Sequence, residues 1–171
     1  MTAAERILVA CVGNVFLGDD GFGVALAGRL ARAELPANVV DVVDYGIRGM
    51  DLAYAMPDYD VVIMLDALPR GEPAGTLYLV EPELDEDQQV SMDAHGMDPV
   101  NVLAMLRALG GRKPRTLVVG CEPATQITLD DDDLVADLSE PVRLALDAAV
   151  GLVQSVLSEL QTNADKELSK Q

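Results

Sequence analysis

Short apolar runs that alternate with helix-periodic segments restrict the fold of this chain more than any other feature. The runs are RILVACV, NVVDVVDYG, DVVIMLDA, GTLYLVEP and RTLVVGC. Between them, residues 20–33 place Phe22, Leu26 and Leu30 on one helical face, and PVNVLAMLRALGG begins with proline and ends on a glycine pair, as helices do. This alternation predicts an α/β fold: a twisted, mostly parallel sheet of about five strands with helices on both faces, a three-layer sandwich.

The sequence predicts a single domain with a short tail. Apolar residues recur at helical spacing from Ser139 to Leu160, which predicts a long amphipathic closing helix. No linker rich in Pro, Gly or Ser divides the chain, so residues 1–160 are predicted to form one domain. Residues 161–171 are polar and are predicted to be a frayed tail. GTLYLVEP alternates in polarity, which predicts a strand near an edge of the sheet.

The net charge, the apolar runs and the cysteine content indicate which partners, location and disulfides to expect. The formal net charge of -17 excludes nucleic acid and anionic membranes as favoured partners, because both are densely negative. The apolar run at Ile7–Val12 is too short for a signal-peptide core, and no stretch approaches a membrane span, so we expect a soluble, cytoplasmic protein. The two cysteines, Cys11 and Cys121, cannot build a disulfide framework and are expected to be buried thiols.

The glycine-rich stretch CVGNVFLGDDGFG follows the first predicted strand. Gly13 and Gly18 have the spacing of a phosphate-binding loop, but Asp19 and Asp20 stand where Lys and Ser or Thr are required. Two like charges about 4 Å apart repel by roughly 4 kcal/mol at an effective dielectric constant near 20, so a phosphate would be disfavoured here. The turn is therefore better suited to a cation.

Polar side chains follow each predicted strand, at the edge where parallel sheets form their sites. These residues are Asn14, Asp19, Asp20, Asp44, Tyr45, Asp66, Cys121 and Glu122. His95, the only histidine, precedes a predicted helix and its loop can reach the same edge. A single histidine without a Cys-x-x-Cys pair argues against the usual zinc sites. One imidazole with the carboxylates of Asp20 and Asp66 would suit a divalent transition metal, and the residue types leave nickel, zinc, iron and manganese open.

Residue types alone leave simpler interpretations open. Asp20 could be a helix N-cap, Asp66 an ordinary strand-end residue and His95 a loop histidine. Cys121 and His95 could instead form the nucleophile and base of a cysteine hydrolase, although no third orienting group is evident and a buried thiol would be inert. Asp44 is as compatible with a strand residue as with a site member.

Several segments, in order from Arg6 to about Leu160, together resemble the hydrogenase maturation protease family. They are GNVFLGDDGFG, DYGIRGMDL, VVIMLDALPRGEPAGTL, HGMDPVNVLAMLRALG and VVGCEP. The family places an acid at the end of the first motif, an aspartate after the third strand and a histidine further on. The resemblance thus implies that Asp20, Asp66 and His95 are the metal-contacting and catalytic residues. Family members carry Glu or Asp at the first position, and Arg48 stands where smaller polar residues are frequent.

The resemblance implies an aspartic-type endopeptidase that removes the C-terminal extension of a nickel-iron hydrogenase large-subunit precursor after nickel insertion. The substrate precursor would supply the nickel, and no organic cofactor is implied. A non-catalytic metal-binding chaperone of hydrogenase assembly would use the same three ligands, and only turnover separates the two functions. An α/β binding domain that uses the glycine turn merely to start a helix is a third possibility. The short chain without a heptad seam favours a monomer.

Overall fold

A five-stranded sheet forms the centre of the protein. The computed structural model describes residues 5–91, 98–124 and 137–168. The strands are β1 (Ile7–Val12), β2 (Val40–Gly46), β3 (Val61–Ala67), β4 (Leu77–Val80) and β5 (Arg115–Cys121). The helices are α1 (Phe22–Leu30), α2 (Gly49–Ala55), α3 (Pro99–Ala108) and α4 (Glu140–Leu168), with 3₁₀ turns at Gly18–Gly21 and Met56–Asp58. Each strand lies within the apolar run that predicted it.

The strand order β2-β1-β3-β5-β4 determines where a site can form. Strand β1 pairs in parallel with both β2 and β3, and β3 pairs in parallel with β5. Strand β4 is antiparallel to β5 and lies at the edge of the sheet, as predicted. The chain moves from β1 outward to β2 and then returns to the other side of β1 with β3. This reversal opens a crevice between the carboxyl ends of β1 and β3, where open α/β sheets bind their ligands.

Helices cover both faces of the sheet, which confirms the three-layer prediction. Leu26 of α1 and Val153 of α4 belong to one buried apolar cluster, whereas Leu52 of α2 and Leu103 of α3 belong to the cluster on the opposite face. All of β1 is buried, as expected for a central strand with helices on both sides.

Helix α4 is longer than the periodicity predicted. It continues to Leu168, and no Gly or Pro interrupts residues 161–168. Within the described ranges, α4 alone is long and apolar enough to cross a membrane by length and composition. Leu146 and Val156 on this helix are buried in the apolar cluster on one face of the sheet.

Candidate active site

The turn after β1 places Asp20 at the carboxyl edge of the sheet. Gly13 has φ +136°, and a Cβ there would lie 1.9 Å from the Asp20 carbonyl oxygen, so no side chain fits. The Asn14 N–H donates to Asp20 Oδ2 at 2.8 Å and closes the turn. The N-cap of α1 is Gly21, and Asp20 lies inside the preceding 3₁₀ turn. The interpretation of Asp20 as the N-cap of α1 is therefore wrong, and α1 begins two residues later than predicted.

A close helix–sheet contact brings this turn against β3. Gly23 lies in the first turn of α1, where a Cβ would be 2.0 Å from the Leu65 carbonyl oxygen and 2.3 Å from that of Val12. Only glycine permits such an approach of helix backbone to strand backbone. The contact joins the carboxyl ends of β1 and β3, and Asp66 directly follows Leu65.

Asp66 is a buried carboxyl group at the end of β3, with 6% of its surface exposed. Burial raises its pKa well above the ordinary value of 3.8, the negative charge of Asp20 raises it further, and Asp98 adds a smaller effect. The hydrogen bond from the Ala67 backbone opposes these effects. Asp20 and Asp66 are thus close enough to interact electrostatically, and a cation between them would relieve both the burial cost and the repulsion.

His95 lies outside the described residues, but both residues that flank the segment 92–97 are described. Asn101, which is 2% exposed, accepts from the Ser91 N–H at 2.7 Å and donates through Nδ2 to the Ser91 carbonyl at 3.0 Å. The Asn101 N–H donates at 3.0 Å to Asp98 Oδ1, which makes Asp98 the N-cap of α3. The start of α3 therefore fixes both flanks of this segment.

No metal-holding cluster of three His, Cys, Asp or Glu side chains occurs within residues 5–91, 98–124 and 137–168. Of the three predicted site residues, Asp20 and Asp66 are near enough to interact electrostatically, and His95 lies outside the described residues.

Asp19 has a structural role that differs from the role predicted for Asp20. Its carboxylate is 3% exposed and accepts three hydrogen bonds, from the Ala124 N–H at 2.8 Å, the Ser139 N–H at 2.7 Å and the Ser139 hydroxyl at 2.8 Å. It ties the turn of Asp20 to the end of β5 and to the start of α4. The sequence shows two adjacent acids but no signal for which one points inward, because that depends on the 3₁₀ turn around them.

Glu122 anchors the segment that follows Asp66. This buried carboxylate accepts from the backbone N–H groups of Arg70 at 2.8 Å and Gly71 at 3.1 Å, and from the Tyr78 hydroxyl at 2.6 Å. The bond from Tyr78 is the main cause that lowers the pKa of Glu122. The sequence located Glu122 at the carboxyl edge, and the structure assigns it a positioning role there.

Cys121 is a buried thiol, as predicted. Burial, followed by the charges of Asp19 and Glu122, raises the pKa of Cys121 to about 12. Nucleophilic catalysis by cysteine requires the thiolate, so this environment argues against the cysteine-hydrolase interpretation.

Asp44 and Arg48 shape the turn after β2. Asp44 Oδ1 accepts from the Gly46 N–H at 2.9 Å, which favours the interpretation of Asp44 as a strand-end residue. The Arg48 guanidinium donates to the carbonyls of Asp44 at 2.6 Å and Tyr45 at 3.2 Å, and it lies 3.6 Å from the Asp51 carboxylate. Arg48 therefore holds this turn together.

Comparison with known proteins identifies the family. A family model described as hydrogenase maturation protease matches residues 24–156. The hydrogenase expression/formation protein HupD of Rhizobium leguminosarum is 30% identical over 158 residues, which cover 90% of this chain and 75% of HupD. A putative hydrogenase maturation protease of Methanocaldococcus jannaschii is 31% identical over 156 residues, which cover 90% of this chain and 96% of that protein. The chain belongs to the hydrogenase maturation protease family.

Solved structures of hydrogenase maturation endopeptidases share the fold. The hydrogenase maturating endopeptidase HybD of E. coli superposes with a TM-score of 0.70 at 27% identity and covers 90% of this chain and 93% of its own. A hydrogenase 2 maturation peptidase from a Thaumarchaeota archaeon superposes with a TM-score of 0.65 at 31% identity, with 90% and 99% covered. The resemblance seen in the sequence is thus confirmed, and the protein is a peptidase-type hydrolase of hydrogenase maturation.

Proposed function

We propose that this protein is an aspartic-type endopeptidase that makes a single cut in a nickel-iron hydrogenase large-subunit precursor and releases its C-terminal extension after nickel insertion. The nickel belongs to the substrate, and the reaction takes place in the cytoplasm on a monomeric enzyme. One observation carries the proposal: the buried Asp66 carboxyl group lies within electrostatic range of Asp20 at the crevice between β1 and β3.

Asp20 and Asp66 together are suited to binding a cation. Burial and the neighbouring charge of Asp20 both oppose ionisation of Asp66. A divalent ion carried in by the precursor would favour the ionised form of both acids. Nickel-loaded precursor would therefore bind more tightly than nickel-free precursor. The enzyme would thus select precursor in which nickel insertion is complete.

His95 would supply the third ligand. His95 stands three positions before Asp98, the N-cap of α3, along the chain. The Asp98 carboxylate is in turn near enough to Asp66 to raise the pKa of that group. Imidazole with two carboxylates is a donor set that accepts nickel while leaving positions for substrate ligands.

The chemical step is hydrolysis of one peptide bond. A water molecule attacks the scissile carbonyl carbon, the C–N bond breaks, and the leaving amine takes a proton. A carboxyl group whose pKa is raised toward neutrality can transfer protons in such a step, and a pair of coupled acids can hold one proton between them. Either the substrate's metal or an ionised member of the Asp20 and Asp66 pair would activate the water, while the metal polarises the carbonyl.

The decisive experiment incubates the purified protein with nickel-loaded and with nickel-free precursor and determines product masses by mass spectrometry. We expect one cut near the C-terminus of the loaded precursor only. Asp20→Asn, Asp66→Asn and His95→Ala should remain folded and lose cutting, whereas Asp60→Asn, at the opposite end of β3, should retain it. Intact precursor held in a stable complex would instead identify a chaperone, and normal cutting by all three site variants would refute the site.

A further inference from the structure

Exposed apolar side chains are concentrated beside Asp20. Among the described residues, eight large apolar side chains are exposed, and five of them lie on the turn after β1 or on the turn and helix α2 that follow β2. We call these five the apolar rim: Val15, Phe16, Ile47, Met50 and Tyr54, which are 40% to 64% exposed. The other three are scattered over β4, the end of α3 and α4. A cluster of exposed apolar residues next to a candidate site is typical of a surface that binds another molecule.

One half of the apolar rim is built on the Asp20 turn itself. The Asp20 carboxylate accepts from the Asn14 N–H at 2.8 Å, and Asn14 Oδ1 accepts from the Phe16 N–H at 3.0 Å. Two consecutive hydrogen bonds therefore connect the carboxylate of the site to the backbone that presents Phe16. The phenyl ring is 60% exposed, although burial of such a side chain is worth about 2 kcal/mol or more.

The other half lies on the neighbouring turn. The Gly13 N–H donates to the Gly46 carbonyl at 3.0 Å and joins the two turns at their bases. Ile47 follows directly, and Met50 and Tyr54 are four residues apart on α2, so they share one face of this helix. Leu52, on another face of α2, is fully buried in the core. Helix α2 thus packs on the core through one face and exposes a second apolar face to solvent.

The charge around the apolar rim defines what it would bind. Arg48 is the basic residue between Ile47 and Met50. Its guanidinium donates to two backbone carbonyls and pairs with the Asp51 carboxylate. On the described turns after β1 and β2 and on α2, the other charged groups that are not buried are acidic, those of Asp20, Asp44 and Asp51, in a protein with a formal net charge of -17. The complementary partner presents apolar side chains bordered by lysine or arginine.

We propose that the apolar rim is the docking surface for the precursor polypeptide, and that it holds an apolar segment with basic neighbours close to the scissile bond. This inference rests on the proposed function, because it takes the precursor as the substrate. Bound on the rim, the segment extends over Asp20 into the crevice between β1 and β3. Binding energy gained away from the reacting atoms then positions the peptide bond for the cut.

The test measures the kinetics of cutting of nickel-loaded precursor by Phe16→Ala, Tyr54→Ala and the double variant. Aromatic anchors in interfaces commonly account for about tenfold or more in affinity each, so the double variant should raise KM about 10-fold to 100-fold while kcat stays within about threefold. Leu144→Ala, which removes a side chain that is 70% exposed on α4, serves as the matched control and should change neither constant. Raising the salt concentration should increase the KM of the wild type.

Several results would overturn this docking surface. They are an unchanged KM in the double variant, an equal change in Leu144→Ala, a loss of kcat alone, or a change of oligomeric state on gel filtration that marks the rim as a contact between copies of this chain. Failure of the wild type to cut any precursor would instead overturn the proposed function, so the two failures are distinguishable.

Discussion

The substitution Asp19→Asn tests whether a buried carboxylate clamps the active-site turn. Asp19 Oδ1 accepts from the Ser139 N–H, and Oδ2 accepts from the Ala124 N–H and the Ser139 hydroxyl. An amide offers one acceptor oxygen, so its NH₂ group must face at least one of the two backbone donors. That donor, on the part-buried Ser139 or on Ala124, loses its hydrogen bond to the charged group.

The expected cost follows from these contacts. Loss of a hydrogen bond to a charged group costs about 1.5–3 kcal/mol, and the remaining bonds weaken because the acceptor is no longer charged. We therefore expect Asp19→Asn to lower the free energy of unfolding by about 2–4 kcal/mol. For a chain of 171 residues this corresponds to a decrease in Tm of roughly 5–15 °C.

Urea unfolding and calorimetry would measure this loss, with Ser139→Ala as the matched control. That variant removes one donor and leaves both backbone bonds to Asp19, so it should cost only about 0.5–1.5 kcal/mol. A free energy of unfolding for Asp19→Asn within about 0.5 kcal/mol of the wild type would show that the three hydrogen bonds do not hold the turn.

Three further predictions concern charge, thiol reactivity and packing. Because the folded-state pKa of Asp66 is raised, its stabilising contribution is complete below the unfolded-state pKa and is lost as the pH rises through the folded-state pKa. The stability of Asp66→Asn relative to the wild type should therefore increase from pH 4 to pH 8 in urea titrations, and a constant difference would contradict the raised pKa. Burial raises the pKa of both Cys11 and Cys121 to about 12, so iodoacetamide at pH 8 should modify neither thiol in the native protein and both in urea, as judged by mass. Gly23→Ala should cost about 3 kcal/mol or more, since its Cβ would lie 2.0 Å from a β3 carbonyl oxygen, whereas Gly28→Ala, with nothing within 4 Å, should leave stability unchanged or raise it by up to about 1 kcal/mol in the same unfolding assay.

The strands and the class of fold could be predicted from the sequence alone. Apolar runs such as those of β1 and β3 report burial on both faces of a sheet, and this local signal needs no knowledge of distant contacts. The start of α3 could also be predicted from the sequence, because proline is favoured at the first position of a helix and Pro99 occupies it. The motif order also led to the correct family.

The separate roles of Asp19 and Asp20 at the carboxyl edge depend on tertiary contacts and could not be predicted from the sequence. Asp19 and Asp20 are adjacent and chemically identical, yet Asp19 accepts hydrogen bonds from Ser139, whereas the charge of Asp20 raises the pKa of Asp66. These roles arise from contacts between residues far apart in the chain, and the close approach at Gly23 creates them by joining α1 to the ends of β1 and β3. A periodic pattern reports which side of an element is buried, whereas the environment of a carboxylate depends on what the fold places against it.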